Sequence, residues 1–250
     1  MPRILHLLVA LFILCSLTTP LWAEAPSLAT VVERLQAPFN QNEAATNIHD
    51  FSADFFQKAR IASLNRTQTG RGTLTVGFAP DGNNESLTRF RWDYSVPEVQ
   101  HLISDGVTLW VYLPDNHRVM VSSIADHLKQ ADDPLLFLRS LGHLERHFDL
   151  AWDSPMQTAA GDFLVRLTPK QPSAYIQHLT LVVPQQLLVA EQAPRFPLLG
   201  VVVATPYGTT TAIEFRDVQL NQHPASETFH FTIPQGVDIV RPTDLTGRAN

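Results

Sequence analysis

Apolar side chains that alternate segment after segment restrict a chain to sheets, because only a strand turns successive side chains to opposite faces. That alternation begins at Phe51: Phe51, Ala53, Phe55, Ala59 and Ile61 share one face, and Gln57 is the one polar member of the set. Leu74, Val76 and Phe78 repeat it, and Phe90, Trp92 and Tyr94 repeat it again, with Arg89, Arg91 and Asp93 on the other side. Asp105-Gly106, between 101–104 and 107–113, is a hairpin signal. Pro114-Asp115-Asn116 then turns the chain into a strand over 117–121. Later strands are predicted over 147–152, 163–168, 175–183, 187–192, 201–204, 209–220 and 228–233. No βαβ rhythm and no internal repeat stands out, so the expectation is a single mainly β domain, a sandwich or a barrel.

Two short helices break the series. Over 27–35, Ser27 is placed to cap and Leu28, Val31, Val32 and Leu35 recur at helical spacing. Pro38 ends that helix, and the polar stretch 40–47 reads as a loop. Over 133–141, Pro134 suits a first turn; Leu135, Leu138 and Leu141 recur every third residue beside Leu136 and Phe137, and Gly142 is a stop.

The strand over 107–113 is apolar on both faces, with Leu109, Val111 and Leu113 on one and Trp110 and Tyr112 on the other. An antiparallel strand of this kind needs cover on both sides. A curved sheet around an inner cavity supplies it, and so does a two-layer core without a cavity; periodicity does not separate the two.

The N-terminus reads as an export signal. Met1-Pro2-Arg3 supplies one positive charge, and the apolar run from Ile4 to Leu17 is broken only by His6 and Ser16. That run is shorter than the roughly 20 residues of a membrane span. Cleavage is expected after Ala23, because a cut after Ala25 would place Pro26 beside it. The predicted division is therefore 1–23 as signal peptide and 24–250 as one domain. Cys15, the one cysteine, lies in the signal. Phe12 and Leu14 stand where a lipidation signal needs Leu and a small residue, so Cys15 reads as an apolar residue lost on cleavage. The mature chain then has no intramolecular disulfide. Beyond the signal no apolar run approaches membrane-spanning length, so the mature protein is expected to be soluble. The net charge of −6 without a basic block argues against a nucleic-acid partner. With 17% charged and 44% apolar residues, the chain is not of disordered composition.

Catalytic sets are missing: no G-x-S-x-G elbow, P-loop or H-E-x-x-H occurs. Gly70-Arg71-Gly72 lies among strand residues, where glycine marks a bend or bulge rather than a phosphate cradle. His143 and His147 have the spacing of two ligands on one helical face, but no third ligand is obvious nearby and they read as solvated. The carboxylates Asp93, Asp105, Asp149 and Asp153 are scattered. No enzyme activity, cofactor or metal is expected. Phe90, Trp92, Tyr94, Trp110 and Tyr112 are either β-core packing or the wall of an apolar pocket.

Phe90-Arg91-Trp92-Asp93-Tyr94, then Pro97, Gln100, Ile103-Ser104-Asp105-Gly106, Leu109-Trp110-Val111-Tyr112 and Pro114, resemble the periplasmic outer-membrane lipoprotein carrier family, LolA. Phe51-Ser52-Ala53-Asp54-Phe55-Phe56-Gln57 resembles its early strand, and Phe229-His230-Phe231-Thr232-Ile233-Pro234-Gln235-Gly236-Val237-Asp238-Ile239 its ending. The resemblance runs from about 28 to 240. It implies an unclosed antiparallel β-barrel, a half-barrel with a helical lid over an apolar cavity. It implies a periplasmic chaperone that takes the acyl chains of lipoproteins from an inner-membrane ATP-driven transporter and passes them to an outer-membrane receptor. On this resemblance the strand aromatics Phe55, Phe90, Trp92 and Tyr94 line the cavity with Leu74, Val76 and Leu102. Trp110, Tyr112 and Phe231 are expected to join them. Leu135, Leu136, Leu138 and Leu141 form the lid, and Leu35 of the first helix contacts it. A monomer suits such a shuttle.

Two departures stand out. Where the family often has the arginine that tethers its lid, this chain has Gly77-Phe78-Ala79-Pro80 followed by an extra loop over 81–85, leaving Arg89 or Arg91 as substitutes. The stretch 194–206 looks like an insertion. Two further functions fit the same fold: a periplasmic sensor of mislocalised lipids or lipoproteins, and a carrier of another lipid.

Overall fold

The computed structural model describes residues 25–39, 47–78, 89–124, 138, 140–188 and 196–241. The predicted signal peptide with Cys15, the loop over 81–85, and Leu135 and Leu136 lie outside the described residues.

Helix α1 is Leu28–Gln36, capped where the Ser27 hydroxyl accepts the Thr30 backbone N–H at 3.1 Å. Its buried stripe is Val31, Val32 and Leu35. After a 3-10 turn over Ala37–Phe39 come β1 (Asp50–Ile61), β2 (Arg66–Gly77), β3 (Arg89–Val96), β4 (Gln100–Ser104), β5 (Thr108–Leu113) and β6 (Arg118–Ser123). The short helix α2 (Leu144–His147) leads into β7 (Phe148–Gln157), β8 (Phe163–Pro169), β9 (His178–Val183), β10 (Gly200–Ala204), β11 (Thr209–Leu220) and β12 (Asp238–Val240).

All twelve strands form one sheet in the order β12-β6-β5-β4-β3-β2-β1-β11-β10-β9-β8-β7. Every pairing is antiparallel except that of β12 with β6, which is parallel. The two end strands do not pair with each other, so the barrel is unclosed. Laid flat, twelve strands would span roughly 50 Å at a spacing of about 4.8 Å. Yet residues of β1–β5 and of β7–β11 join α1 in a single apolar cluster. The sheet therefore curls, and that cluster lies on its inner face.

Register explains why the inner face is continuous. Ala53, Leu74, Trp92, Leu102 and Val111 stand opposite one another across β1 to β5, and Leu220, Phe51, Val76 and Phe90 make a second row across β11 to β3. β2 and β3 approach so closely that a Cβ on Gly72 would stand 1.8 Å from the Asp93 carbonyl oxygen, and the register shifts between Arg71 and Gly72. The glycine pair thus marks a bulge.

Two expectations are corrected. Leu187 and Leu188, where a strand is expected over 187–192, belong to a 3-10 turn at Gln185–Leu188, and 189–192 lie outside the described residues. The strand predicted over 228–233 is replaced by a 3-10 turn at Ser226–Phe229 and irregular chain before β12. The alternation of Phe229, Phe231 and Ile233 there comes from packing on the sheet, not from ladder pairing: Phe229 is fully buried, and Phe231 and Ile233 lie against a second cluster. The described part of the stretch 194–206 holds β10, which sits between β9 and β11, and the Phe196 ring lies 4.4 Å from that of Phe51.

Candidate functional site

Alternation along β1 and β3 turns Phe55, Trp92 and Tyr94 onto the inner face. The Phe55 ring meets Trp92 edge-on at 5.2 Å and Tyr94 at 4.8 Å, while Trp92 and Tyr94 lie parallel at 6.1 Å. Gln57, the polar break in the β1 set, accepts the Tyr94 hydroxyl proton on Oε1 at 2.8 Å. Burial pushes the Tyr94 phenol up to about 12, so it stays a donor across the physiological range. Leu74, Val76 and Phe90 are buried beside these rings, and Leu102 packs half-buried against them. From the other side come Leu35 of α1, Leu138, Leu141 and Leu144, all buried in the same cluster. The two helices are joined by a buried bond, the Leu144 N–H donating to Gln36 Oε1 at 2.7 Å. The inner face here is apolar and rich in aromatic rings, and α1, Leu138, Leu141 and α2 pack over it.

The family model for the outer membrane lipoprotein carrier protein LolA matches residues 46–232. The chain belongs to the LolA family. Among its relatives, the outer-membrane lipoprotein carrier protein of Neisseria gonorrhoeae is 29% identical over 235 residues, which is 94% of this chain and 97% of the relative. That of Hahella chejuensis is 27% identical over 195 residues, 78% and 83% of the two chains. A solved LolA superfamily protein from Nitrosomonas europaea superposes with a TM-score of 0.43 at 12% identity, covering 83% of this chain and 99% of the other. The family is one of carriers rather than catalysts.

Within this LolA family chain, Phe55, Leu74, Val76, Phe90, Trp92, Tyr94 and Leu102 come together on the inner face with Leu35. Trp110, Tyr112 and Phe231 do not join them. They form a separate cluster with Ile103 and Val119 on the outer face of β4–β6, beneath the chain's own C-terminal segment. Tyr112 and Phe231 are 5.1 Å apart, and Trp110 meets His230 at 5.5 Å. The reason is the period of two: Leu109 and Val111 face inward, so Trp110 and Tyr112 must face outward. The cover that β5 requires on both sides is thus an inner cluster on one side and the C-terminus on the other. Arg89 and Arg91, suggested as substitutes for a lid tether, have other neighbours among the described residues. Both alternate away from the inner face: the Arg89 guanidinium lies 5.0 Å over Phe229, and Arg91 pairs with Asp93 at 2.7 Å.

Three of the carboxylates singled out in the sequence have structural partners. Asp93 also holds His101, Asp105 accepts the backbone N–H of Val107 and Thr108 in its turn, and Asp153 binds Arg166 and Thr180. His143 and His147 bracket α2. Among the described residues no group of three His, Cys, Asp or Glu is placed to hold a metal. Sequence reasoning missed an open groove of about 790 Å³ on the outer face, lined by Phe56, Lys58, Arg71, Val182, Val202 and Ala212 among others. Its one sequence signal is Phe56, an aromatic out of phase with the β1 alternation, over which Arg216 sits at 4.4 Å.

Proposed function

We propose that this protein is a periplasmic carrier whose inner face takes the acyl chains of lipoproteins. The observation that carries the reading is that, in a member of the lipoprotein carrier family, Phe55, Phe90, Trp92 and Tyr94 converge on one concave face beneath α1. The N-terminal 1–23 segment exports the chain. An inner-membrane ATP-driven transporter supplies the lipoprotein and an outer-membrane receptor takes it. Leu138 and Leu141, both buried in the inner cluster, belong to the cover that shields this face when it is empty.

The energetics suit a shuttle. Burial of a methylene is worth roughly 0.8 kcal/mol, so three long acyl chains total tens of kcal/mol. Affinities saturate near about −18 to −21 kcal/mol, and a carrier must also release. The chains are therefore buried incompletely, and displacement of the cover opposes their entry. The test is native mass spectrometry with lipid extraction on mature protein purified from the periplasm. One acylated lipoprotein per chain is the expected result. Protein that is reproducibly empty, and that takes nothing from membranes carrying the transporter and ATP, would overturn the reading. A different bound lipid would keep the site and change the cargo.

A further inference from the structure

Two side-chain nitrogens among the described residues are buried without a hydrogen-bond partner, Arg89 Nε and Trp92 Nε1. The first belongs to a guanidinium seated on the Phe229 ring of the outer face. The second lies in the middle of the inner face, in the row Ala53, Leu74, Trp92, Leu102 and Val111.

An indole N–H is a donor only and cannot be satisfied by rearranging its proton. Buried Trp nitrogens usually find an acceptor, because leaving one unpaired forfeits its hydration without return. Trp92 is 5% exposed. Two polar side chains of its own face, Tyr94 and Gln57, bond to each other and not to the indole. Its other neighbours, Phe55, Leu74 and Leu102, offer carbon alone. Packing does not require the nitrogen either, because a phenyl ring would meet Phe55 edge-on equally well. The wall therefore holds one unspent donor in otherwise apolar surroundings.

We infer that the Trp92 indole N–H donates to a carbonyl oxygen of the cargo, the ester carbonyl of a glycerol-linked acyl chain. This rests on the carrier reading and adds a specificity to it. An acylated glycerol carries an acceptor at the head of each chain, whereas a simple hydrocarbon or an ether-linked lipid has no carbonyl to offer. The donor would fix how deep the chains run, holding the ester level with Trp92 and leaving the apolar rows on either side for methylenes.

The experiment compares two probes on the mature protein: a cysteine peptide bearing a dipalmitoylglyceryl thioether, and the same peptide bearing dihexadecyl ether chains. The wild type is expected to prefer the ester probe by about 5- to 10-fold, the range of one hydrogen bond. Trp92→Phe is expected to bind the two probes alike. In wild-type protein labelled with ¹⁵N at tryptophan, the Trp92 indole resonance should move downfield with the ester probe and not with the ether probe. This second measurement needs no Trp92 variant to fold. Equal affinity of the wild type for both probes, or an ester preference that survives in Trp92→Phe, would overturn the inference and leave the carrier reading standing. Binding of neither probe would sink both.

Discussion

Gly72 carries more of the fold than its size suggests. The β2 backbone passes so near the Asp93 carbonyl that no side chain fits, and the bulge beside it sets the phase that puts Leu74 opposite Trp92. Gly72→Ala should lower the unfolding free energy by about 1–3 kcal/mol, the usual cost of forcing extra volume into a packed site; urea titration measures it, and an unchanged midpoint would mean the strands can separate there freely. Asp153 makes a prediction in pH. Burial works to raise its carboxyl, but the Thr180 hydroxyl, the Arg166 guanidinium and the Ser154 N–H outweigh burial and hold it below the usual carboxylate range. The unfolded chain thus takes up this proton at higher pH than the folded one. The stability it contributes is fully present above the unfolded value of about 3.9 and is lost as pH falls through the lower folded value. His178, held low by burial and then by Arg166, has the same sign at higher pH: its contribution is present above about 6.5 and is lost on acidification. Asp153→Asn should flatten the fall in urea midpoint below roughly pH 4. A slope equal to that of the wild type would show that the carboxylate contributes nothing there.

The segment after β11 shows what an element needs beyond pattern. Phe229, Phe231 and Ile233 alternate like a strand, yet only Asp238–Val240 pairs, and the apolar residues act as pegs into the outer face. Phe229 is fully buried against Arg89 and within about a contact distance of Gly77. Phe229→Ala should cost about 3–5 kcal/mol, and hydrogen exchange should quicken at β6 and β12 before the rest of the sheet. Protection lost everywhere at once would mean the segment is not a separate unit. Strands were readable wherever alternation and ladder pairing coincide, as at Phe51–Phe55 or Phe90–Tyr94. They were misread at 228–233, where one occurs without the other. Helix α2 escaped notice because four residues are one turn, too short for a helical period to register. Trp110 and Tyr112 stand apart from Trp92 for a related reason. Period two says which residues share a face, but only the curl of the whole sheet decides which face is inside. The family was legible because its motif spans β3 to β5, where sequence order and spatial order coincide.

A sheet of twelve strands with apolar residues on both faces has two hydrophobic problems, and this molecule solves them differently. The outer problem, at β4–β6, is met by the chain's own C-terminal segment, including a parallel strand that also occupies one sheet edge. The inner one is covered by α1, α2 and the leucines Leu138 and Leu141, a small set of residues outside the sheet facing strands from nearly the whole of it. On the proposed carrier reading the inner cover is the one that must open, whereas the outer cover includes a strand of the sheet itself. The two faces should therefore respond oppositely to substitution. Leu102, half-buried on the inner face, tolerates a polar replacement better than the fully buried positions do. Leu102→Asp should reduce lipoprotein recovered per folded molecule at least ~10-fold, a difference of about 1.4 kcal/mol, with a circular-dichroism spectrum like that of the wild type. Phe231→Ala, on the outer face, should lower the urea midpoint and leave the load per folded molecule within about twofold, since it removes outer packing alone. If Phe231→Ala empties the carrier as thoroughly as Leu102→Asp does, then the faces are not independent, and the concave face is not where the acyl chains lie.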